Sequence, residues 1–214
     1  MKPQVSVLIA HLRETENDKA LKMCLECLVD NTSVDYEIIV SAVEARRDLY
    51  TVCNEMATRA QADYIVFHNS DVFMAPGWAE PMLAAARPDR IVAGVIVECG
   101  AIGVAIDNVH KNFGMRPDTF RRAEFEKWVR EVGHVHVPPT EGWYFPSLHP
   151  RETFLEMGGF DLTKGAFPTD PLDIIYWDTW RKSGRQVVRV PSSFCYHLQH
   201  YSDKNEQEKE VRHR

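Results

Sequence analysis

The chain lacks several features that would each settle a function class. No apolar run in its 214 residues approaches the roughly 20 needed to cross a bilayer as a helix. The N-terminal run VSVLIA, residues 5–10, is too short for a signal segment and is followed by no small-residue cleavage site. Basic charge is also scarce: 25 Lys and Arg stand against 31 Asp and Glu, for a net charge of −6. A protein that grips a nucleic-acid backbone carries a basic surplus, so nucleic acid and anionic membrane surfaces are disfavoured as partners. Cysteines number five, an odd and scattered set, which suggests free thiols in a reducing compartment and a soluble, cytoplasmic protein. Cys24 and Cys27 form a C-x-x-C, but no second pair follows at zinc-ribbon spacing. Both fall on the apolar face of a predicted helix, where small core residues are expected. Glycine is missing where phosphate binding would use it. There is no G-x-x-x-x-G-K-[ST], and Gly94, Gly100 and Gly103 do not form G-x-G-x-x-G. A bound nucleotide would need a metal and scattered side chains to neutralise its diphosphate.

What is present is a regular alternation of element types. A hydrophobic content of 44% suits one domain with a sizeable core. The domain is expected over residues 1–203, followed by a charged tail over 204–214. VSVLIA is a short apolar run, as expected for a strand buried on both faces, and YEIIVSAV, DYIVFHN, RIVAGVIVE and QVVRVPSSFCYH are expected as further strands. Between them, NDKALKMCLECLVDN and DLYTVCNEMATRAQA repeat apolar residues at helical spacing, the first behind an expected Asn17 or Asp18 cap. Strand–helix–strand–helix–strand at this pace predicts an α/β fold with a mostly parallel central sheet and helices on both faces. TFRRAEFEKWVREVG predicts a charged amphipathic helix, and HVHVPPTEGWYFPS a loop with an edge strand.

Polar residues gather at the predicted carboxyl ends of strands, where open α/β sheets bind ligands. The third strand ends in Asn69-Ser70-Asp71, and a carboxylate there suits a hard divalent cation that bridges phosphates. The same tripeptide also suits a plain turn into Pro76-Gly77. The last strand ends in YHLQH, which offers His197 and His200 as metal ligands; imidazole beside carboxylate points to Mn²⁺ at least as much as Mg²⁺. The stretch TDPLD places Asp170 before Pro171 as a helix cap and Asp173 in the first turn. That geometry favours an ionised carboxylate, as a general base requires, and serves equally to start a helix. Trp177 and Trp180 share the face of Asp173 and are expected to pack beneath it.

In order and spacing, VSVLIAHLRE, CNEMATRAQADYIVFHNSDVFMAPGW, PRETFLEMGGFDLTKG and PTDPLDIIYWDTWRKSGRQVVRVPSSFCYH resemble the GT-A-fold glycosyltransferases, most closely the inverting family 2. The resemblance spans most of residues 4–200. It implies a Rossmann-like GT-A sheet and transfer of a sugar from a UDP-, GDP- or dTDP-sugar to a carbohydrate or other hydroxyl acceptor, with Mn²⁺ or Mg²⁺. It implies metal binding by Asp71 and His197, with Asp71 at the last position of the D-x-D motif and Asn69 replacing its first acid. It places Ser70 near the ribose or diphosphate, Ala10, His11 and Arg13 around the nucleoside, Glu44 by the base and Asn54 at a recurrent asparagine of the donor side. Trp143 would wall the sugar or the acceptor. The general base is an acid at the start of the later helix. Counting back from Gly184 favours Asp173 and counting from the cap favours Asp170; Asp173 is the preferred choice. Two other readings remain: a sugar-1-phosphate nucleotidyltransferase, which AHLRETENDK fits poorly for want of glycine, and a non-catalytic nucleotide-sugar-binding module.

Overall fold

The apolar runs are strands of one eight-stranded sheet. The structure, a computed structural model, describes residues 2–13, 15–45, 48–100, 109–135, 146–165 and 172–198. Trp143, Asp170, His200 and the charged tail lie outside the described residues. The strands are β1 (Val5–Leu12), β2 (Tyr36–Val43), β3 (Tyr64–Asn69), β4 (Val72–Met74), β5 (Arg90–Glu98), β6 (Val109–His110), β7 (Ser147–Pro150) and β8 (Gln186–His197). The helices are α1 (Thr15–Asn31), α2 (Leu49–Arg59), α3 (Ala79–Ala85), α4 (Arg122–Val132), α5 (Arg151–Glu156) and α6 (Leu172–Lys182).

Strand order is β2-β1-β3-β7-β5-β8-β4, with β6 beside β5. β1 is parallel to β2 and β3, and β5 is parallel to β8. β7 runs antiparallel to both β3 and β5, so the two parallel groups point the same way and their carboxyl ends share one edge. β4 follows β3 after only Ser70 and Asp71, yet lies four places along the sheet, paired with β8. Four strand spacings of about 4.8 Å make roughly 19 Å across a flat sheet. The three steps from Asn69 to Val72 reach only about 11 Å. The sheet must therefore curl at this edge, and the concavity lies where the polar strand ends converge.

Alternation of side chains divides the core between the two faces. Val5, Val7, Ile9, Val66 and Val92 pack on one side with residues of α1, α3 and α4. Leu8, Ile65, Phe67, Ile91 and Ala93 pack on the other with α2, α5 and α6. All five cysteines are free and buried, and Cys24 and Cys27 are core residues as expected. At Gly94 the β5–β8 register shifts. A Cβ there would sit 2.7 Å from the Ser193 carbonyl oxygen, so only glycine lets the two backbones approach this closely.

One expectation about local structure is corrected. Helix α1 begins at Thr15, ahead of the expected Asn17 or Asp18 cap. The Asn17 amide instead donates to the Leu12 carbonyl at 3.2 Å and ties the strand exit to the helix. The end of HVHVPPTEGWYFPS leads into an interior strand: Ser147–Pro150 lies between β3 and β5. Its polar residues are buried, with Ser147 Oγ 2.8 Å from His149 Nε2.

Candidate active site

The tip of β3 delivers Asp71 into the concavity at 8% exposure. His197 Nε2 lies 3.7 Å from Asp71 Oδ2, and His197 Nδ1 lies 3.1 Å from Glu98 Oε2. Pairing fixes this triad. Glu98 is opposite His197 across β5–β8, and Val72 is opposite His197 across β4–β8. The Leu198 N–H donates to the Asp71 carbonyl at 3.1 Å. Burial pushes the Asp71 carboxyl up, but the His197 cation outweighs it and holds the group below the usual carboxylate range. Burial lowers the His197 imidazole, yet Asp71 and then Glu98 overcome this and push it up to about 10. Beneath the tip, buried His68 donates from Nδ1 to the Asn69 carbonyl at 2.7 Å, and desolvation lowers its pKa to about 4. Asn69 and Ser70 are half-buried. Sequence reasoning missed Glu98. Its signal was an acid closing an otherwise apolar parallel strand, as Asp71 follows β3.

Beside the triad, the ends of β1 and β2 and the start of α1 enclose a cleft of about 340 Å³. His11, Arg13, Asp18, Leu21, Val40 and Ala42 line it. Ala10 is the register partner of Asn69, so the cleft and the β3 tip adjoin. His11 is buried, and its Nε2 lies 2.7 Å from Asp18 Oδ1. Glu44, one residue beyond β2, is exposed and is not among the lining residues. The acid in this cleft is Asp18, which its sequence position had suggested as a helix cap.

A third group meets where α2 and α6 begin. Tyr50, in the first turn of α2, donates to Asp173 Oδ1 at 2.8 Å. Because α2 follows the carboxyl end of β2, this contact places Asp173 at the same sheet edge. Burial raises the Asp173 pKa, opposed by the Tyr50 hydroxyl and by backbone N–H groups of the helix start. Trp177 and Trp180, one and two turns further along α6, are buried. Asn54, expected on the donor side, bonds the backbone of Phe160. Its amide donates to the Phe160 carbonyl at 2.9 Å and its carbonyl accepts from the Phe160 N–H at 2.9 Å. The glycines before Phe160 make this possible: Gly159 has φ of +67°, and a Cβ there would meet Asn54 Oδ1 at 2.6 Å.

The donor chemistry fits a divalent ion of limited protein ligation. Asp71 offers a carboxylate oxygen and His197 an imidazole nitrogen, with Glu98 orienting the far side of that imidazole. Among the described residues no group of three or more His, Cys, Asp and Glu side chains is arranged to hold a metal. An ion at this pair would therefore be completed by ligand oxygens. Residues 41–139 match the family model described as glycosyl transferase family 2. By structure, 92% of the chain matches 44% of GalNAc-T7, solved with UDP, GalNAc and Mn²⁺, at a TM-score of 0.60 and 14% identity. The same share matches 36% of S. aureus TarS at a TM-score of 0.61 and 12% identity. The chain has a GT-A fold and resembles glycosyl transferase family 2. A search of curated proteins by sequence returns no match. The chain spans less than half the length of either GT-A structure. No helix among the described residues of this GT-A chain is long and apolar enough to cross a membrane.

Proposed function

We propose that the chain is a metal-dependent inverting glycosyltransferase that moves a sugar from a nucleotide-diphosphate sugar to an acceptor hydroxyl. The observation that carries this reading is the meeting of Asp71 and His197 on one curled sheet edge with the His11–Arg13 cleft. The cleft would take the nucleoside, with Arg13 supplying positive charge toward the diphosphate. A divalent ion, Mn²⁺ or Mg²⁺, held by Asp71 and His197 would supply charge for the leaving diphosphate, worth several kcal/mol. Asp173 would accept the proton of the acceptor hydroxyl as that oxygen attacks the anomeric carbon opposite the leaving group. A base so placed contributes on the order of 10²–10⁴-fold. One displacement inverts the anomeric centre. Partial burial of Asp173 supports this role, because a carboxylate with less access to water is a stronger base.

The test is a calorimetric titration of UDP-, GDP- and dTDP-sugars with and without Mn²⁺, on wild type and on Asp71→Ala. Wild type should bind one donor class in a metal-dependent way, and Asp71→Ala should lose that dependence. Equal affinity in both proteins, with and without metal, would overturn the reading.

A further inference from the structure

Two neighbours on α2, Tyr50 and Asn54, and the remote Phe160 form a continuous support behind Asp173. The Asn54 side chain clamps the backbone of Phe160 through two bonds of 2.9 Å. The Phe160 ring packs on Tyr50 at 5.0 Å between centroids. The Tyr50 hydroxyl then reaches Asp173 Oδ1 at 2.8 Å. Tyr50 is only 3% exposed, so its phenol has little freedom to turn elsewhere. We propose that Tyr50 is the positioning residue of the Asp173 carboxylate, holding it toward the acceptor, and that the Asn54–Phe160 clamp fixes the phenol in place. This rests on Asp173 being the general base.

The hydroxyl does two things to the carboxylate. It fixes the plane of the group, which a rotating aspartate at a helix start would otherwise vary. It also stabilises the ionised form, offsetting the burial that disfavours it. Among the described residues, Tyr50 of α2 acts on this carboxylate, α6 contributes the backbone N–H groups of Asp173 and Ile174, and the carboxylate in turn acts on Cys53 of α2. Burial, and then Asp173 itself, hold the phenol and the thiol protonated, so neither competes as a charge. Tyr50 touches neither substrate nor ion in this scheme and acts only through Asp173.

The experiment follows the Asp173 side-chain carbon by NMR against pH in wild type and Tyr50→Phe, which keeps the ring on Phe160 and deletes only the hydroxyl. The Asp173 titration should move to higher pH in Tyr50→Phe. With 3-fluorotyrosine at position 50, a more acidic donor of nearly the same size, it should move to lower pH, which keeps the test open if Tyr50→Phe folds poorly. UDP release from UDP-N-acetylgalactosamine with Mn²⁺ is the activity probe. Tyr50→Phe should lose on the order of tenfold on the acid limb and recover toward high pH, as expected for one lost bond to a charged group. An unmoved titration in both variants, or a uniform loss of rate at every pH, would overturn the positioning role even with Asp173→Asn inert. An active Asp173→Asn would overturn the base assignment itself and, with it, anything Tyr50 positions.

Discussion

Replacing Asn54 by Ala separates a structural clamp from a donor contact. The side chain spans from α2 to Phe160, 106 residues away, and satisfies both backbone groups of that residue. Phe160 is 1% exposed, so water cannot readily replace the lost partners. A buried backbone group deprived of its bond costs about 1–3 kcal/mol, and two such groups, partly relaxed, give a loss of about 3 kcal/mol. For a chain of this size each kcal/mol lowers the melting temperature by roughly 2–4 °C, so Asn54→Ala should melt roughly 6–12 °C below wild type. Thermal and urea denaturation followed by circular dichroism measure this, and calorimetry with UDP and Mn²⁺ measures donor binding below the transition. UDP affinity should change little. A melting temperature equal to that of wild type, together with a tenfold loss of UDP affinity, would refute the clamp and return Asn54 to the donor.

Three further outcomes are expected. In protein stripped of metal with chelator, the His197 pKa of about 10 lies above its usual value, so its contribution to stability is fully present below about pH 6.5 and is lost as pH rises to about 10; His197→Gln should flatten that alkaline decline in melting temperature. Gly94→Ala places a Cβ 2.7 Å from the Ser193 carbonyl oxygen and should lower stability by about 1–3 kcal/mol, read from the urea midpoint. Asp173→Asn should abolish UDP release while raising the melting temperature at neutral pH. Because burial raises the carboxyl pKa, the native state is penalised once the group ionises, and the gain in stability should vanish at acid pH.

The parallel part of the fold was legible chiefly from its covered strands, which read as apolar runs: β5 is buried along nearly all its length and matches its run RIVAGVIVE end to end. β7 was not legible as an interior strand. It has four residues, two of them polar, and Ser147 and His149 bond to each other rather than advertise a need for water. At the site, Asp71 and His197 could be read as polar residues closing apolar strands, and the structure places them together. Glu98 obeyed the same rule but looked like an ordinary strand end. Tyr50 carried no signal at all, since its partner lies 123 residues away and a tyrosine early in a helix usually serves the core. Asn54 was visible as a motif residue, but its partner was not.

The link of Ser70 and Asp71 has a consequence beyond the ligand it presents. It is too short to let the sheet flatten, so the bow of the whole sheet and the gap between the Asp71 carboxylate and the His197 imidazole vary together. If the proposed ion is held there, its preference would depend on this arch, which sets the bite of the two side chains. Lengthening the link by a single residue would slacken the arch and spread that bite without altering either side chain.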